Sequence, residues 1–140
     1  MTNDPASGSR LREPLLLVVE DDESTRVLYA ECLSRTGFRV QVAANGNEAL
    51  RAALVEPPDA VVLDLTMPHL DGWETARLLR SYKPTEAIPI VACTGRTDSY
   101  DVDRAMDVGC NHVVFKPCLP HELEKIVRNL LASGERKHGT

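Results

Sequence analysis

The chain has 140 residues, 43% of them hydrophobic and 26% charged, which suffices for one domain with a packed core and no covalent staples. Its 16 basic and 21 acidic residues give a formal net charge of −5, a balance that argues against a basic nucleic-acid surface and leads to the expectation of no nucleic-acid partner. The longest apolar run, Leu15 to Val19, is far too short to cross a bilayer, and no basic-then-apolar leader opens the chain; the expectation is a cytoplasmic protein without membrane insertion.

Residues 1 to 13 carry Ser, Asp, Gly and Arg without periodicity and read as a disordered tail. Leu15 to Val19 then reads as a buried strand ending on Glu20-Asp21-Asp22. Leu28, Tyr29, Cys32 and Leu33 form a helical stripe that Gly37 stops. Phe38 to Ala43 is a second strand, Asn45-Gly46 a turn, and Ala49, Leu50, Ala53 and Leu54 a second stripe, closed by Pro57-Pro58. Ala60 to Leu63 is a third buried strand, and it ends on a carboxylate, Asp64. Met67-Pro68 and Asp71-Gly72 break the chain before a helix with Gly72, Ala76 and Leu79 inward, reaching about Lys83-Pro84. Ile88 to Cys93 is a fourth strand ending on Thr94-Gly95, followed by a helix with Val102, Ala105 and Met106 that stops at Gly109. His112 to Phe115 is a fifth strand ending on Lys116-Pro117. Leu123, Ile126, Val127, Leu130 and Leu131 mark the last helix, and residues 133 to 140 form a short polar tail.

Five buried strands alternating with five amphipathic helices imply right-handed β-α-β crossovers and a doubly wound parallel sheet in an α/β domain spanning 14 to 132. The four cysteines, Cys32, Cys93, Cys110 and Cys118, show no C-x-x-C spacing and read as reduced thiols.

In a parallel sheet the polar residues that end the strands share one edge, where α/β folds place ligands. Here they are Glu20 and Asp21, Asp64, Thr94 and Lys116. Three carboxylates together repel one another and stay ionised only around a cation. Mg²⁺ suits hard oxygen donors: Asp21 and Asp64 directly, Glu20 through water, and the backbone carbonyl of Thr66. Phosphoryl transfer needs an in-line nucleophile and neutralised oxygens. Asp64 would be the nucleophile, with Lys116 and the Thr94 hydroxyl contacting the phosphoryl oxygens. An ionised carboxylate needs no general base.

The strings Val19-Glu20-Asp21-Asp22, Asp64-Leu65-Thr66-Met67-Pro68 with Asp71-Gly72, Thr94-Gly95 and Lys116-Pro117 resemble the bacterial response-regulator receiver domain of two-component signalling, in the same order and from about Leu15 to Leu131. The resemblance implies a flavodoxin-like (βα)5 fold with strand order 2-1-3-4-5 and a cis Lys116-Pro117 bond. It implies Asp64 as phosphoacceptor, Glu20 and Asp21 as the acidic metal pair, Thr94 as the switch hydroxyl and Lys116 as the phosphate-contacting lysine. The partners it implies are a histidine kinase or histidine phosphotransfer protein and a downstream protein target, reached by a stand-alone domain through contact or an onward phosphorelay. Such a protein catalyses its own aspartyl phosphorylation and dephosphorylation rather than acting as an enzyme on other substrates. Two positions depart from the pattern: Val113 stands where receivers usually carry an aromatic residue, with Phe115 the candidate substitute, and Cys118 where a phenylalanine often follows Lys-Pro. Arg96 and Thr66 border the path of attacking water.

Plainer readings stand beside these. An acidic run after a strand caps helices more often than it binds metal, and Asp22 reads as such a cap. Thr94 could cap the next helix, and an isolated Lys-Pro is usually a turn. His69 and His121 read as solvated, and Trp73 as packing or partner contact. Two other functions remain open. One is a pseudo-receiver that binds without phosphoryl turnover, which Val113 keeps in view. The other is an aspartate-nucleophile phosphatase, disfavoured because Thr66 occupies the place of its second acid.

Overall fold

The computed structural model describes residues 13–65, 72–95 and 99–134, with the side chains of 99–101 left aside. Expectations for the N-terminal tail, for Thr66, His69, Asp71 and Arg96, and for residues 135–140 lie outside them. The elements run β1 (Leu15–Val19), α1 (Glu23–Ser34), β2 (Arg39–Ala43), α2 (Gly46–Val55), β3 (Ala60–Asp64), α3 (Gly72–Arg80), β4 (Ile90–Thr94), α4 (Ser99–Asp107), β5 (His112–Phe115) and α5 (Pro120–Ser133).

All strand pairs are parallel and the order is β2-β1-β3-β4-β5, the doubly wound sheet that the alternation implies. Period-2 alternation splits its side chains between two cores. Leu17, Val19, Val61, Leu63, Ile90 and Ala92 pack with Ala49, Ala53, Ala76, Leu79 and Ala105, so α2, α3 and α4 cover one face. Leu16, Val18, Val62, Val91, Cys93 and Val114 pack with Tyr29, Leu33, Leu123, Val127 and Leu130, so α1 and α5 cover the other.

Several local expectations change. The outer strands are not buried: Val42 in β2 and Phe115 in β5 are 45% and 43% exposed, because each strand has a neighbour on one side only. Asn45-Gly46 is a helix start rather than a turn. The Asn45 side chain accepts from the Glu48 N–H at 2.9 Å, and the Glu48 carboxylate accepts from the Ala44 N–H at 2.9 Å, a reciprocal cap. β4 begins at Ile90 because Pro89 has no N–H to pair; its carbonyl still accepts from Val61 N at 2.9 Å. α3 ends at Arg80 rather than near Lys83. Leu28, Leu54 and Met106 lie on the solvent side of their helices. Leu28 rims a groove with Tyr29, Cys118 and Leu119 instead of entering the core. Asp22 does cap α1, accepting from the Thr25 N–H at 2.9 Å and the Thr25 hydroxyl at 2.7 Å. Gly134 ends α5 in the left-handed conformation, φ 68°. Among the described residues no helix is long and apolar enough to cross a membrane.

Candidate functional site

Strand alternation selects what meets at the carboxyl edge. Leu16 and Val18 of β1, Val62 of β3 and Val114 of β5 all face α1 and α5. Counting on by two brings Glu20, Asp64 and Lys116 to the same side of the edge. The Lys116 Nζ donates to Asp64 Oδ2 at 3.1 Å and lies 3.6 Å from Glu20 Oε1. Both carboxylate side chains are only 4% exposed, whereas Lys116 is 31% exposed. Glu20, Asp21 and Asp64 each present a carboxylate oxygen, and these oxygens lie within 4.8 Å of one another. The sequence-based set therefore converges for Glu20, Asp21, Asp64 and Lys116.

Thr94 is placed differently. Asp64 pairs in register with Cys93, so Thr94 stands one residue further along β4, on the opposite face, fully buried and paired with Phe115. Its carbonyl accepts from Lys116 N at 2.8 Å, which ties the lysine's backbone to the end of β4. The Lys116-Pro117 bond is cis, as expected. Val113 lies on the same face as Ala92 and packs, partly buried, against the α2-α3-α4 core.

The electrostatics follow from burial. Burial, and after it the charge of Asp64, pushes the Glu20 carboxyl up to about 7. Burial works against the charge of Lys116, but its hydrogen bond to Asp64 and the charges of Asp64 and Glu20 outweigh it and hold the ammonium above its usual range. Burial pushes the thiols of Cys93 and Cys118 up, which opposes thiolate chemistry there. Three crowded carboxylates facing one lysine leave net negative charge in a largely buried pocket. The donor set, all hard oxygens, fits a Mg²⁺ ion.

Two contributors were not read from the sequence. Gly72 lies against the phosphoacceptor candidate's own backbone: a Cβ there would sit 2.5 Å from the Asp64 carbonyl oxygen and 2.6 Å from Leu65 Cα. The glycine was legible as a helix start, but not as a close approach. Arg26 in α1 donates to the Glu20 carbonyl at 2.9 Å; its only sequence signal is a basic residue a few positions after an acidic run. Trp73 is buried and carries the Arg104 guanidinium 4.5 Å above its ring centre.

A doubly wound 2-1-3-4-5 sheet with an acidic, lysine-bridged pocket at its carboxyl edge defines a flavodoxin-like α/β domain built around a buried aspartate. Residues 16–128 match the family model described as the response regulator receiver domain, and the chain belongs to that family. It is 36% identical over 124 residues to the transcriptional regulatory protein AfsQ1 of Streptomyces coelicolor, covering 89% of this chain and 54% of that protein. It is 37% identical over 120 residues to the DNA-binding response regulator MtrA of Mycolicibacterium smegmatis, covering 86% and 51%. The chain thus spans about half the length of these curated relatives. Among solved structures, the chemotaxis response regulator CheY4 of Vibrio cholerae is 28% identical with a TM-score of 0.78, covering 84% of this chain and 98% of that one. The receiver domain of the sensor histidine kinase PA1611 from Pseudomonas aeruginosa, described with a magnesium ion coordinated in its active site cleft, is also 28% identical at a TM-score of 0.78, covering 85% and 98%.

These relatives overturn the exclusion of nucleic acid drawn from the charge balance: proteins this similar are named as transcriptional and DNA-binding regulators. A net charge of −5 describes the surface of this chain. The electrostatic requirement for DNA applies only to the surface that touches the phosphates, and the relatives run to about twice the matched length.

Proposed function

We propose that Asp64 accepts a phosphoryl group from the phosphohistidine of a histidine kinase or histidine phosphotransfer protein. A carboxylate oxygen of Asp64 attacks phosphorus, the phosphorus–nitrogen bond of the donor breaks, and the electron pair returns to the imidazole, leaving an acyl phosphate on Asp64. The observation that carries this reading is the Lys116 ammonium 3.1 Å from Asp64 Oδ2, inside a cluster of three carboxylates. Glu20, Asp21 and Asp64 would hold Mg²⁺, with the Thr66 carbonyl as a further donor. When bound, the ion supplies charge neutralisation for the phosphoryl oxygens. Lys116, already paired with Asp64, contacts one phosphoryl oxygen and offsets the charge that arrives with the group. The Thr94 hydroxyl, which starts from the opposite face of the sheet at the end of β4, turns toward the phosphoryl group and so carries the change into β4. Burial of Asp64 limits water at the acyl phosphate, and hydrolysis restores the carboxylate.

The protein works in the cytoplasm as a signalling phosphoacceptor. Its output passes by contact with a protein target or by onward transfer of the phosphoryl group. The test is the mass of the intact chain after incubation with acetyl phosphate and Mg²⁺. A gain of one phosphoryl group, abolished by EDTA and by Asp64→Asn, is expected; equal labelling of the Asp64→Asn variant would refute the assignment. A pseudo-receiver is the second reading, favoured by Val113, an aliphatic residue packed into the core where the resemblance leads one to expect an aromatic. It predicts no mass gain under any of these conditions.

A further inference from the structure

We propose that Arg26 is a positioning residue that sets the metal affinity of the site by fixing the turn between β1 and α1. The inference rests on the phosphoacceptor reading above and concerns a residue which that reading does not use. Glu20 is held at each of its polar groups. Its N–H donates to the Ala43 carbonyl of β2 at 3.0 Å, and its Oε2 accepts from the Asp22 N–H at 3.2 Å. Its carbonyl accepts from Arg26 Nη1 at 2.9 Å, and the same nitrogen reaches the Asp21 carbonyl at 3.5 Å. One guanidinium therefore gathers the two successive carbonyls of the acidic pair toward α1. The carboxylates of those same residues lie on the Asp64 side, with their oxygens within 4.8 Å of its own.

Local helix stability gives no reason for an arginine there. It is the fourth residue of α1, where the exposed N–H groups make the helix end electropositive and disfavour a cation. Its backbone N–H is already satisfied by the Asp22 carbonyl at 2.9 Å, so the side chain is not required to close the first turn. What the guanidinium supplies is a charged donor to an acidic turn that otherwise spreads under the repulsion of its own carboxylates. A planar fork can serve two neighbouring carbonyls, and an ammonium at the same place can serve at least the nearer one.

Removing a residue that orients metal ligands without touching the ion costs about tenfold or more in metal affinity or activity; here the guanidinium holds only the backbone of the acidic pair, so the loss falls on affinity. The experiment measures Mg²⁺ binding by isothermal titration calorimetry and acetyl-phosphate labelling at saturating Mg²⁺, for the wild-type chain, Arg26→Ala and Arg26→Lys. Arg26→Ala is expected to weaken Mg²⁺ binding by about tenfold while the saturated labelling rate stays within about twofold, and Arg26→Lys to recover most of the affinity. Unchanged or tighter Mg²⁺ binding in a folded Arg26→Ala variant overturns the proposal, and so does a fall in saturated rate at constant affinity. Should Arg26→Ala fail to fold by circular dichroism, Arg26→Gln replaces it: weaker binding than Arg26→Lys supports the proposal, and binding equal to wild type overturns it. No Mg²⁺ binding by the wild-type chain would instead bring down the phosphoacceptor reading itself.

Discussion

Replacing Glu20 by glutamine is expected to stabilise the metal-free protein near pH 8 and to destabilise it, relative to wild type, once Mg²⁺ is supplied. The Glu20 side chain is 4% exposed, and burial followed by the charge of Asp64 raises its carboxyl from 4.5 to about 7. An acid raised on folding contributes its full stability below its unfolded value and loses it as pH climbs through the folded one. A rise from 4.5 to about 7, at about 1.4 kcal/mol per pH unit, withholds about 3 kcal/mol of folding free energy at and above neutrality. Glutamine escapes that penalty, which is already net of the attraction to Lys116 and of the bond from the Asp22 N–H. The net gain is about 3 kcal/mol, or a rise in Tm of about 9 °C for a domain of this size. Urea unfolding in EDTA reads it directly: the variant should be the more stable near pH 8, and the gap should close near pH 5, where wild-type Glu20 is protonated when folded. In excess Mg²⁺ the order should reverse, because the ion stabilises the state that binds it. An E20Q variant less stable than wild type in EDTA near pH 8, or a gap equal at both pH values, would refute the reasoning.

Other substitutions probe the same pocket and its supports. Lys116→Ala, which removes the cation between Glu20 and Asp64, should lower the stability of the metal-free protein by about 1 kcal/mol in urea and slow acetyl-phosphate labelling at saturating Mg²⁺. Gly72→Ala should destabilise by about 2 kcal/mol or more and slow labelling with it, because its Cβ meets the Asp64 carbonyl oxygen at 2.5 Å and main chain cannot give way as a side chain can; a neutral result in thermal melts would show that the approach relaxes freely. Arg80→Ala should cost about 3 kcal/mol in urea unfolding, since its guanidinium serves the carbonyls of Glu86, Ile88 and Gly109 and the Asn111 side chain. Labelling of Asp64 should survive it, because those partners lie at the opposite ends of β4 and β5.

What could be read from the sequence was whatever depends on period and order. A side chain two positions beyond a buried one, at the end of a parallel strand, falls on the same face of the sheet. Leu16, Val18 and Glu20 therefore announce the geometry of Glu20 before any coordinates exist, and Val114 announces Lys116. The same count places Thr94, two beyond Ala92, on the other face, so the four strand ends form one edge but not one row. Exposure at the sheet margins was less legible, since Val42 and Phe115 look like core residues until strand order makes their strands outer ones.

The remaining features belong to contacts that no local pattern encodes. Gly72 meets the Asp64 main chain in a close approach that only the packed structure reveals, and Arg26 reaches back from the first turn of α1 to the Glu20 carbonyl. The charge argument failed on scale: a count over a whole chain constrains the surface of that chain, while DNA attraction is decided by the few side chains at the phosphates. The pocket illustrates the same distinction in reverse. Its chemistry comes from three carboxylates and one lysine within a few ångströms, a local charge pattern that the formal net charge does not reveal. Burial then makes that pattern matter, because it drives Glu20 toward protonation unless a cation enters.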